Sequence, residues 1–246
     1  MMNLNNVTLL GIDGLGNDLQ LAKAIKYSQE KIKFGKTILF SATDDQYDFC
    51  ETIKINKLSY EDCQKFTMTN LVDYIETDYI LLVQSDGFIV NPDSWSDDFF
   101  SYDYIGAPWP VSNLIINNSV ETIPGWHPQR KKVLEALQKS NYEYQVGNGG
   151  FTFRSKKLLS LVKEKYSEKY ANIAEDGVIC ICMRKELESE GIKFCPLELS
   201  GLFSCESKVV NDVNNNIYKF DSDASFGFHC KESHPDKIKL LEKVLL

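Results

Sequence analysis

Short runs of consecutive apolar residues recur through the first hundred positions and predict β-strands. The three clearest runs are Val7–Asp13, Thr37–Ser41 and Tyr79–Val83, and a shorter run lies at Thr52–Ile55. A strand that is covered on one face alternates apolar and polar residues, whereas a strand covered on both faces is apolar throughout. The pattern therefore predicts strands that are buried on both sides.

Segments with apolar residues three or four positions apart separate these runs and predict helices. One helix begins near Asp18, a residue type suited to an N-cap, and extends to about Lys31; another covers about Ser59 to Ile75. Strands that alternate with helices pair in parallel, with helices on both faces of the sheet. We therefore predict an α/β fold whose ligands bind beyond the carboxyl ends of the strands.

The second half of the chain is less regular, and glycines mark its most informative stretch. Three glycines in four residues lie within Val146–Phe153, which we predict to be a strand. Such glycines serve either a close approach between backbone and ligand or a sharp bend. The other elements predicted in this half are helices near Gln129–Lys139, Ser155–Tyr166 and Asp176–Glu190, ended by Gly191, and a strand at Ser225–His229.

Composition and charge exclude several classes of function. The 246 residues are 43% hydrophobic and 25% charged, as in ordinary soluble globular proteins. A net charge of −8 argues against nucleic-acid binding, which uses clusters of lysine and arginine. No apolar stretch approaches the roughly 18 residues that a membrane span needs. The N-terminus lacks the pattern of a signal peptide, so we expect a cytoplasmic location.

Several familiar site patterns are absent. The seven cysteines include no CxxC pair, which favours reduced, mostly buried thiols over zinc ligands or disulfides. The glycines of Gly11–Gly16 have the wrong spacing for a dinucleotide-binding loop. The chain also lacks a P-loop and the GxSxG turn of serine hydrolases.

Aspartates follow three of the predicted strands and should lie along one rim of the sheet. They are Asp13, the pair Asp44 and Asp45, and Asp86. Asp86 could hold a divalent cation against a diphosphate, because Mg²⁺ and Mn²⁺ take carboxylate and phosphate oxygens together. The structural alternative is an aspartate that simply shapes a strand-end turn.

Glu175, Asp176 and the histidines are further candidates. Carboxylates are favoured at a helix start by free N–H groups, yet one held at the sheet rim could also act as a general base. His229 ends a predicted strand and could bind a metal at the rim. We interpret His127 and His234, which each precede a proline, as structural or exposed.

Several motifs together resemble a family of bacterial and viral glycosyltransferase-like proteins of uncharacterised function. The matching segments are Tyr79–Phe88, Asn91-Pro92, Trp95, Tyr104–Pro110, Val146–Ser155, Glu175-Asp176, Phe203-Ser204 and Phe226–His229. The resemblance implies a GT-A-like fold, a mixed sheet flanked by helices, in which an Asp-x-Asp strand end binds metal and nucleotide-sugar diphosphate. Gln84 replaces the first of those acids here, so only Asp86 matches.

The resemblance also implies roles for individual residues. Asp176 would be the general base of an inverting transfer and Glu175 an acceptor or sugar contact. Asp86 and His229 would bind Mn²⁺ or Mg²⁺. The donor would be a nucleotide sugar, most simply a UDP-sugar, and the acceptor a hydroxyl of a glycan or another molecule. The residues expected at the donor are Asp44, Asp45, Gln84, Ser85, Asp86, Asn148, Gly149 and Gly150.

We expect one domain over 1–246, with a nucleotide-binding half of about 1–100 and an acceptor-binding, catalytic half of about 101–246. A nucleotidyltransferase would want a basic glycine-rich loop near the N-terminus, but Gly11–Gly16 has no lysine or arginine nearby before Lys23. A carbohydrate-binding module without catalytic activity is the second alternative.

Overall fold

A six-stranded mixed sheet forms the centre of the computed structural model, which describes residues 1–110, 130–140 and 143–246. Its strands are β1 Met2–Asp13, β2 Ile32–Ser41, β3 Glu51–Lys54, β4 Tyr79–Leu82, β5 Tyr104–Ile105 and β6 Thr152–Ser155. They are ordered β3-β2-β1-β4-β6-β5. The first four pair in parallel, whereas β6 is antiparallel to both β4 and β5. The predicted α/β architecture is confirmed.

Helices and two small sheets surround this centre. The α-helices are α1 Leu19–Ser28, α2 Tyr60–Thr69, α3 Arg130–Lys139, α4 Lys156–Lys165, α5 Glu175–Gly177, α6 Arg184–Ser189, α7 Leu197–Phe203 and α8 Pro235–Ile238. The small sheets pair β7 Ser204–Cys205 with β10 Gly227–Phe228 in parallel, and β8 Val209–Asn211 with β9 Ile217–Lys219 in antiparallel. None of the described helices is long and apolar enough to cross a membrane.

The central strands are buried on both faces, as their apolar runs predict. Leu9 of β1 belongs to the same apolar cluster as Ile25 of α1. Its neighbour Leu10 belongs to a different cluster, which contains Leu71 and Leu159 from the opposite side of the sheet. Successive side chains of a strand point to opposite faces of the sheet. A strand with helices packed on both faces therefore has apolar residues at consecutive positions.

The helix predicted over Asp176–Glu190 is wrong in its continuity. The chain instead forms the single turn α5, a π-helical turn over Val178–Cys182 and then α6. The N–H of Met183 donates to the carbonyl of Val178, five residues earlier, at 2.8 Å. π-Turns of this kind widen a helix locally and occur frequently at functional sites. This one begins at Val178, two residues after Asp176.

The strand predicted over Val146–Phe153 is wrong in its start, because β6 begins at Thr152 and ends at Ser155. The glycines before it form a loop, in which Asn148 adopts a left-handed conformation with φ of 71°. Asparagine tolerates this conformation because its side chain can hydrogen-bond to nearby backbone. Here Asn148 Oδ1 accepts from the N–H of Gly150 at 2.7 Å, which turns the chain.

Smaller differences have local causes. The predicted strand at Ser225–His229 is shortened to β10. The side chain of Asp18, expected to cap α1, makes no capping bond. It is buried and accepts instead from the hydroxyls of Ser41, Thr43 and Tyr47. All seven cysteines are free thiols, with Cys180, Cys195 and Cys205 buried and the others partly exposed.

Candidate functional site

A tight turn at the end of β4 presents Asp86. The N–H of Gln84 donates to the carbonyl of Gly87 at 2.8 Å, and the reverse bond measures 3.1 Å. The chain thus leaves β4 through a tight turn that contains Asp86. Gln84 and Ser85 are exposed at its tip, and Asp86 is half-buried. The N–H of Cys230 donates to the carbonyl of Asp86 at 3.0 Å and joins this turn to the segment after β10.

His229 lies next to Asp86. Its Nε2 atom is 3.8 Å from Asp86 Oδ1. Its backbone N–H donates to the carbonyl of Cys205 at 3.2 Å, so the pairing of β7 with β10 fixes its position. The following residue, Cys230, has φ of 82°, a strained conformation for a residue other than glycine. Such strain is found mainly where a site requires a particular backbone path.

The other ring nitrogen of His229 has two polar neighbours. Nδ1 lies 2.7 Å from Asn148 Nδ2 and 3.3 Å from Glu206 Oε1. The Asn148 amide suits a bare Nδ1, whereas Glu206 suits a protonated one, which leaves Nε2 free to bind a metal. Burial lowers the pKa of His229, but the hydrogen bond to Glu206 and the charges of Glu206, Asp86 and Asp176 outweigh it, so the pKa is raised.

These side chains fit a divalent cation with two protein ligands. Metal-binding histidines commonly direct their second nitrogen to a carboxylate, as His229 does toward Glu206. Aspartate oxygen and imidazole nitrogen are both common ligands of divalent metals. Within the described parts of the chain, no group of three histidine, cysteine or acidic side chains is arranged to hold a metal. Any further ligands would come from substrate and water.

The glycine loop packs directly against this pair. A Cβ atom added to Gly150 would collide with the imidazole of His229 and lie 2.9 Å from Gln84 Oε1. The hydroxyl of Tyr104 donates to the carbonyl of Asn148 at 2.8 Å and holds the loop from the opposite side. The loop glycines therefore allow close contact with protein side chains, in addition to any contact with a ligand.

Asp176 lies on the other side of the same loop. Its Oδ2 accepts from the N–H of Gly149 at 3.1 Å, and its Oδ1 from the N–H of Gly177 at 2.6 Å. Burial, followed by the negative charge of Glu175, raises the pKa of Asp176 to about 7. A carboxylate with a pKa near neutral is well matched to general-base catalysis.

Glu175, in contrast, faces the interior. It is 5% exposed, and its Oε1 lies 2.7 Å from Nη2 of the fully buried Arg154. Its backbone N–H donates to the side chain of Gln64 in α2 at 2.9 Å. The carboxylate of Glu175 is thus paired with Arg154. The predicted contact of Glu175 with sugar or acceptor stays a prediction.

Asp44 and Asp45 follow β2, whereas Asp86 follows β4. These two strands are not neighbours in the sheet, because β1 lies between them. Asp44 is exposed and pairs with Lys54 Nζ at 2.7 Å. The N–H of Asp45 donates to Thr43 Oγ1 at 3.2 Å. Asp13 turns inward on its own loop and accepts from the N–H of Leu15 at 3.0 Å. A role for Asp44 and Asp45 at the donor stays a prediction.

Two residues near the site were not singled out in the sequence. Glu206 lies two residues after the Phe203-Ser204 segment of the family resemblance. This position in the sequence is the feature that could have identified it as a candidate. Tyr60 begins α2 and is 63% exposed. It lies four residues before Gln64, on the helix face that contacts Glu175. Partial burial and the charges of Asp176 and Glu175 raise the pKa of Tyr60 to about 12.

Of the two remaining histidines, His234 lies within the described residues. His234 is fully buried, and its ring packs edge-on against Phe228 with centroids 5.4 Å apart. This contact fits the structural interpretation. His127 lies outside the described residues.

Two of the similar solved structures are glycosyltransferases. The galactosyltransferase LgtC, crystallised with donor and acceptor sugar analogs, has a TM-score of 0.51 and 12% identity, covering 100% of this chain and 98% of its own. A glycosyltransferase involved in glycosylation of the major capsid of PBCV-1 has a TM-score of 0.45 and 12% identity, covering 97% and 99%. Together with the mixed sheet, the LgtC match shows a GT-A fold.

Sequence comparison gives the family. No curated protein sequence matches the chain significantly. One family model matches residues 44–229, which is more than half of the 246 residues. The chain therefore belongs to the family described as Protein of unknown function (DUF5672).

Proposed function

We propose that this protein is a glycosyltransferase that moves a sugar from a UDP-sugar to a hydroxyl acceptor with inversion at the anomeric carbon. One observation carries the proposal. Asp176 contacts Gly149, while the adjacent Gly150 packs against His229, the neighbour of Asp86. A candidate base and a candidate metal pair thus contact adjacent residues of one loop, on a fold found in glycosyltransferases.

Asp86 and His229 would bind the diphosphate end of the donor through Mn²⁺ or Mg²⁺. A divalent cation held there would neutralise negative charge on the departing diphosphate. Glu206 would keep the imidazole of His229 oriented with Nε2 toward Asp86, since it contacts Nδ1 at 3.3 Å. Gln84 and Ser85, exposed at the same turn, would contact the donor beside the metal.

Asp176 would remove the proton from the acceptor hydroxyl as that oxygen attacks the anomeric carbon. The new bond forms from the acceptor oxygen, the bond to the diphosphate oxygen breaks, and UDP leaves. With its pKa near 7, the carboxylate is a stronger base than an ordinary aspartate and is still ionised in part at neutral pH. The N–H of Gly149 would hold Oδ2 in place.

The two halves of the chain would then divide the substrates. The donor would lie against residues of about 1–100, including Asp44 and Asp45, and against the loop of Asn148 to Gly150. The acceptor would enter from the side of Tyr60, an exposed residue one helical turn before Gln64, whose side chain contacts Glu175. Exposed aromatic rings suit the apolar faces of sugars because they offer a large, rigid contact area. The single-domain organisation over 1–246 is part of this proposal.

The test is to incubate the protein with a panel of UDP-sugars and Mn²⁺, follow release of UDP, and determine the anomeric configuration of any product by NMR. We expect UDP release with at least one donor and an inverted product. A retained configuration would overturn the role of Asp176 as the inverting base. Donor binding without any turnover would instead favour a carbohydrate-binding module.

One observation favours a second candidate. A Cβ atom on Gly16 would lie 3.3 Å from Lys57 Cε, so the fold brings a lysine to the N-terminal glycine loop that the local sequence lacks. A basic glycine-rich loop is what a nucleotidyltransferase would need. Release of pyrophosphate from a nucleoside triphosphate, sensitive to Lys57→Ala, would support that function over sugar transfer.

A further inference from the structure

Arg154 is a buried cation that has no role in the proposed transfer itself. It belongs to β6, is 0% exposed, and donates through Nη2 to Glu175 Oε1 at 2.7 Å. Its Nε donates to Thr152 Oγ1 at 2.9 Å, and its guanidinium lies 5.2 Å from the ring centre of Tyr104. A buried ion pair contributes little net stability, because desolvation offsets the attraction between the charges. Its presence here therefore calls for a reason other than stability.

The ion pair between Arg154 and Glu175 lies next to Asp176, the proposed general base. Glu175 immediately precedes Asp176, and a Cβ atom on Gly149 would overlap the Glu175 carboxylate. That same Gly149 donates its N–H to Asp176. The carboxylate of Glu175 thus packs against the loop. Two hydrogen bonds hold Glu175 in place: Arg154 donates to its carboxylate, and the backbone N–H of Glu175 donates to Gln64.

The pair is also not fully satisfied by its surroundings. Arg154 Nη1 and Glu175 Oε2 are buried and make no hydrogen bond to any of the described residues. In an ion pair selected for stability alone, such atoms would be expected to find partners. Two opposite charges that are buried next to Asp176 impose an electric field on its carboxylate.

We propose that Arg154 and Glu175 are positioning residues, which hold Asp176 against the glycine loop and set how readily its carboxylate gains a proton. The catalytic consequence rests on the proposed function, but the electrostatic effect does not. Glu175 acts through Asp176 and Gly149, without needing to touch substrate.

The charges around Asp176 determine whether its pKa should rise or fall when Glu175 is neutralised. Glu175 raises the pKa of Asp176, and Arg154 lowers it by less. Among the described residues, the titratable and charged groups that interact with Asp176 include Glu175, Arg154, Glu206, Tyr60, Tyr104, Cys180 and His229. Removing the charge of Glu175 takes away the larger of these two opposing effects, so the pKa of Asp176 should fall and its carboxylate should become a weaker base.

The test is to measure the pKa of Asp176 directly in protein labelled with ¹³C at the aspartate carboxyl carbons, using Asp176→Asn to assign the signal. We expect Glu175→Gln, which keeps the side-chain shape, to lower that pKa by about 1 or more, the usual effect of one nearby charge. Glu168→Gln is the matched control, because it removes the same charge from an exposed pair with Lys65. An unchanged pKa in folded Glu175→Gln would overturn the proposal.

A second variant covers the case in which Glu175→Gln does not fold because Arg154 is left without a partner. The double variant Arg154→Gln with Glu175→Gln removes both buried charges together and so avoids an unpaired one. We expect it to lower the pKa of Asp176 in the same direction by a smaller amount; an unchanged or higher value would refute the assignment. Since the readout needs no substrate, failure of the proposed glycosyl transfer would be visible separately as absence of UDP release.

Discussion

The backbone N–H of Gly149 donates a 3.1 Å hydrogen bond to Oδ2 of Asp176, and this contact links the start of α5 to the loop before β6. The next loop residue, Gly150, packs against His229. The distance between the candidate base and the candidate metal pair is therefore fixed by two consecutive glycines. Their lack of side chains is a packing requirement of the site, whatever ligand it binds.

Replacing Gly149 by alanine should disrupt the site, because the new methyl group would overlap the carboxylate of Glu175. Overpacking in a tight interior typically costs about 1–3 kcal/mol. We expect Gly149→Ala to lower the thermal unfolding temperature and to remove any turnover. Gly177→Ala is the matched control, since its new Cβ atom would have 3.4 Å to the nearest atom, an ordinary contact. Equal tolerance of both substitutions would contradict the described packing.

Stability should depend on pH through Asp176. Its pKa is about 7 in the folded protein, against an ordinary value of 3.8. Between these values the folded protein keeps a proton that the unfolded chain has released, so stability from this group is full below pH 3.8 and is lost as pH rises through 7.

Asp176→Asn removes this dependence. We expect the variant to gain stability relative to the parent from pH 4 to pH 8, by at most about 4 kcal/mol. Urea unfolding across that range measures the difference. Asp73→Asn, at an exposed pair with Lys163, controls for the loss of one negative charge. A stability difference that stays flat with pH would show that the pKa of Asp176 is ordinary.

Metal affinity should depend on Glu206, although it is not itself a proposed ligand. Its carboxylate lies 3.3 Å from Nδ1 of His229 and favours the ring form that leaves Nε2 free. Loss of such a supporting contact typically weakens metal binding about 10–100-fold. We expect Glu206→Gln to show that loss in a calorimetric titration with Mn²⁺ and UDP. Glu232→Gln, near Cys230, should bind as the parent does; equal affinities in all three proteins would exclude the supporting role.

The sheet and its rim could be predicted from the sequence because they depend on local, repeated signals. Continuous apolar runs indicated β1, β2 and β4, and the end of the last run located the turn of Asp86. Periodicity also indicated α1 and α4, with boundaries close to those observed.

The rest depended on contacts between distant residues. Asn148 bends the glycine segment through its own side chain, and it also reaches His229, 81 residues away. The partnership of Arg154 with Glu175 spans β6 and α5 and leaves no periodic trace in the sequence. The position of Lys57 beside Gly16 likewise arises from the path of the chain after β3. Tertiary pairing of this kind decides the site, whereas local pattern decides the scaffold.

The central claim, that Asp86 acts on the donor through a metal and Asp176 acts on the acceptor proton, is tested most directly by calorimetric binding of UDP with Mn²⁺ to Asp86→Ala and Asp176→Asn. The account predicts that Asp86→Ala loses UDP affinity and its response to Mn²⁺. It predicts that Asp176→Asn binds UDP as the parent does, while turnover falls by roughly 10²–10⁴-fold, the usual contribution of a general base. Loss of UDP affinity in Asp176→Asn as complete as that in Asp86→Ala would contradict it.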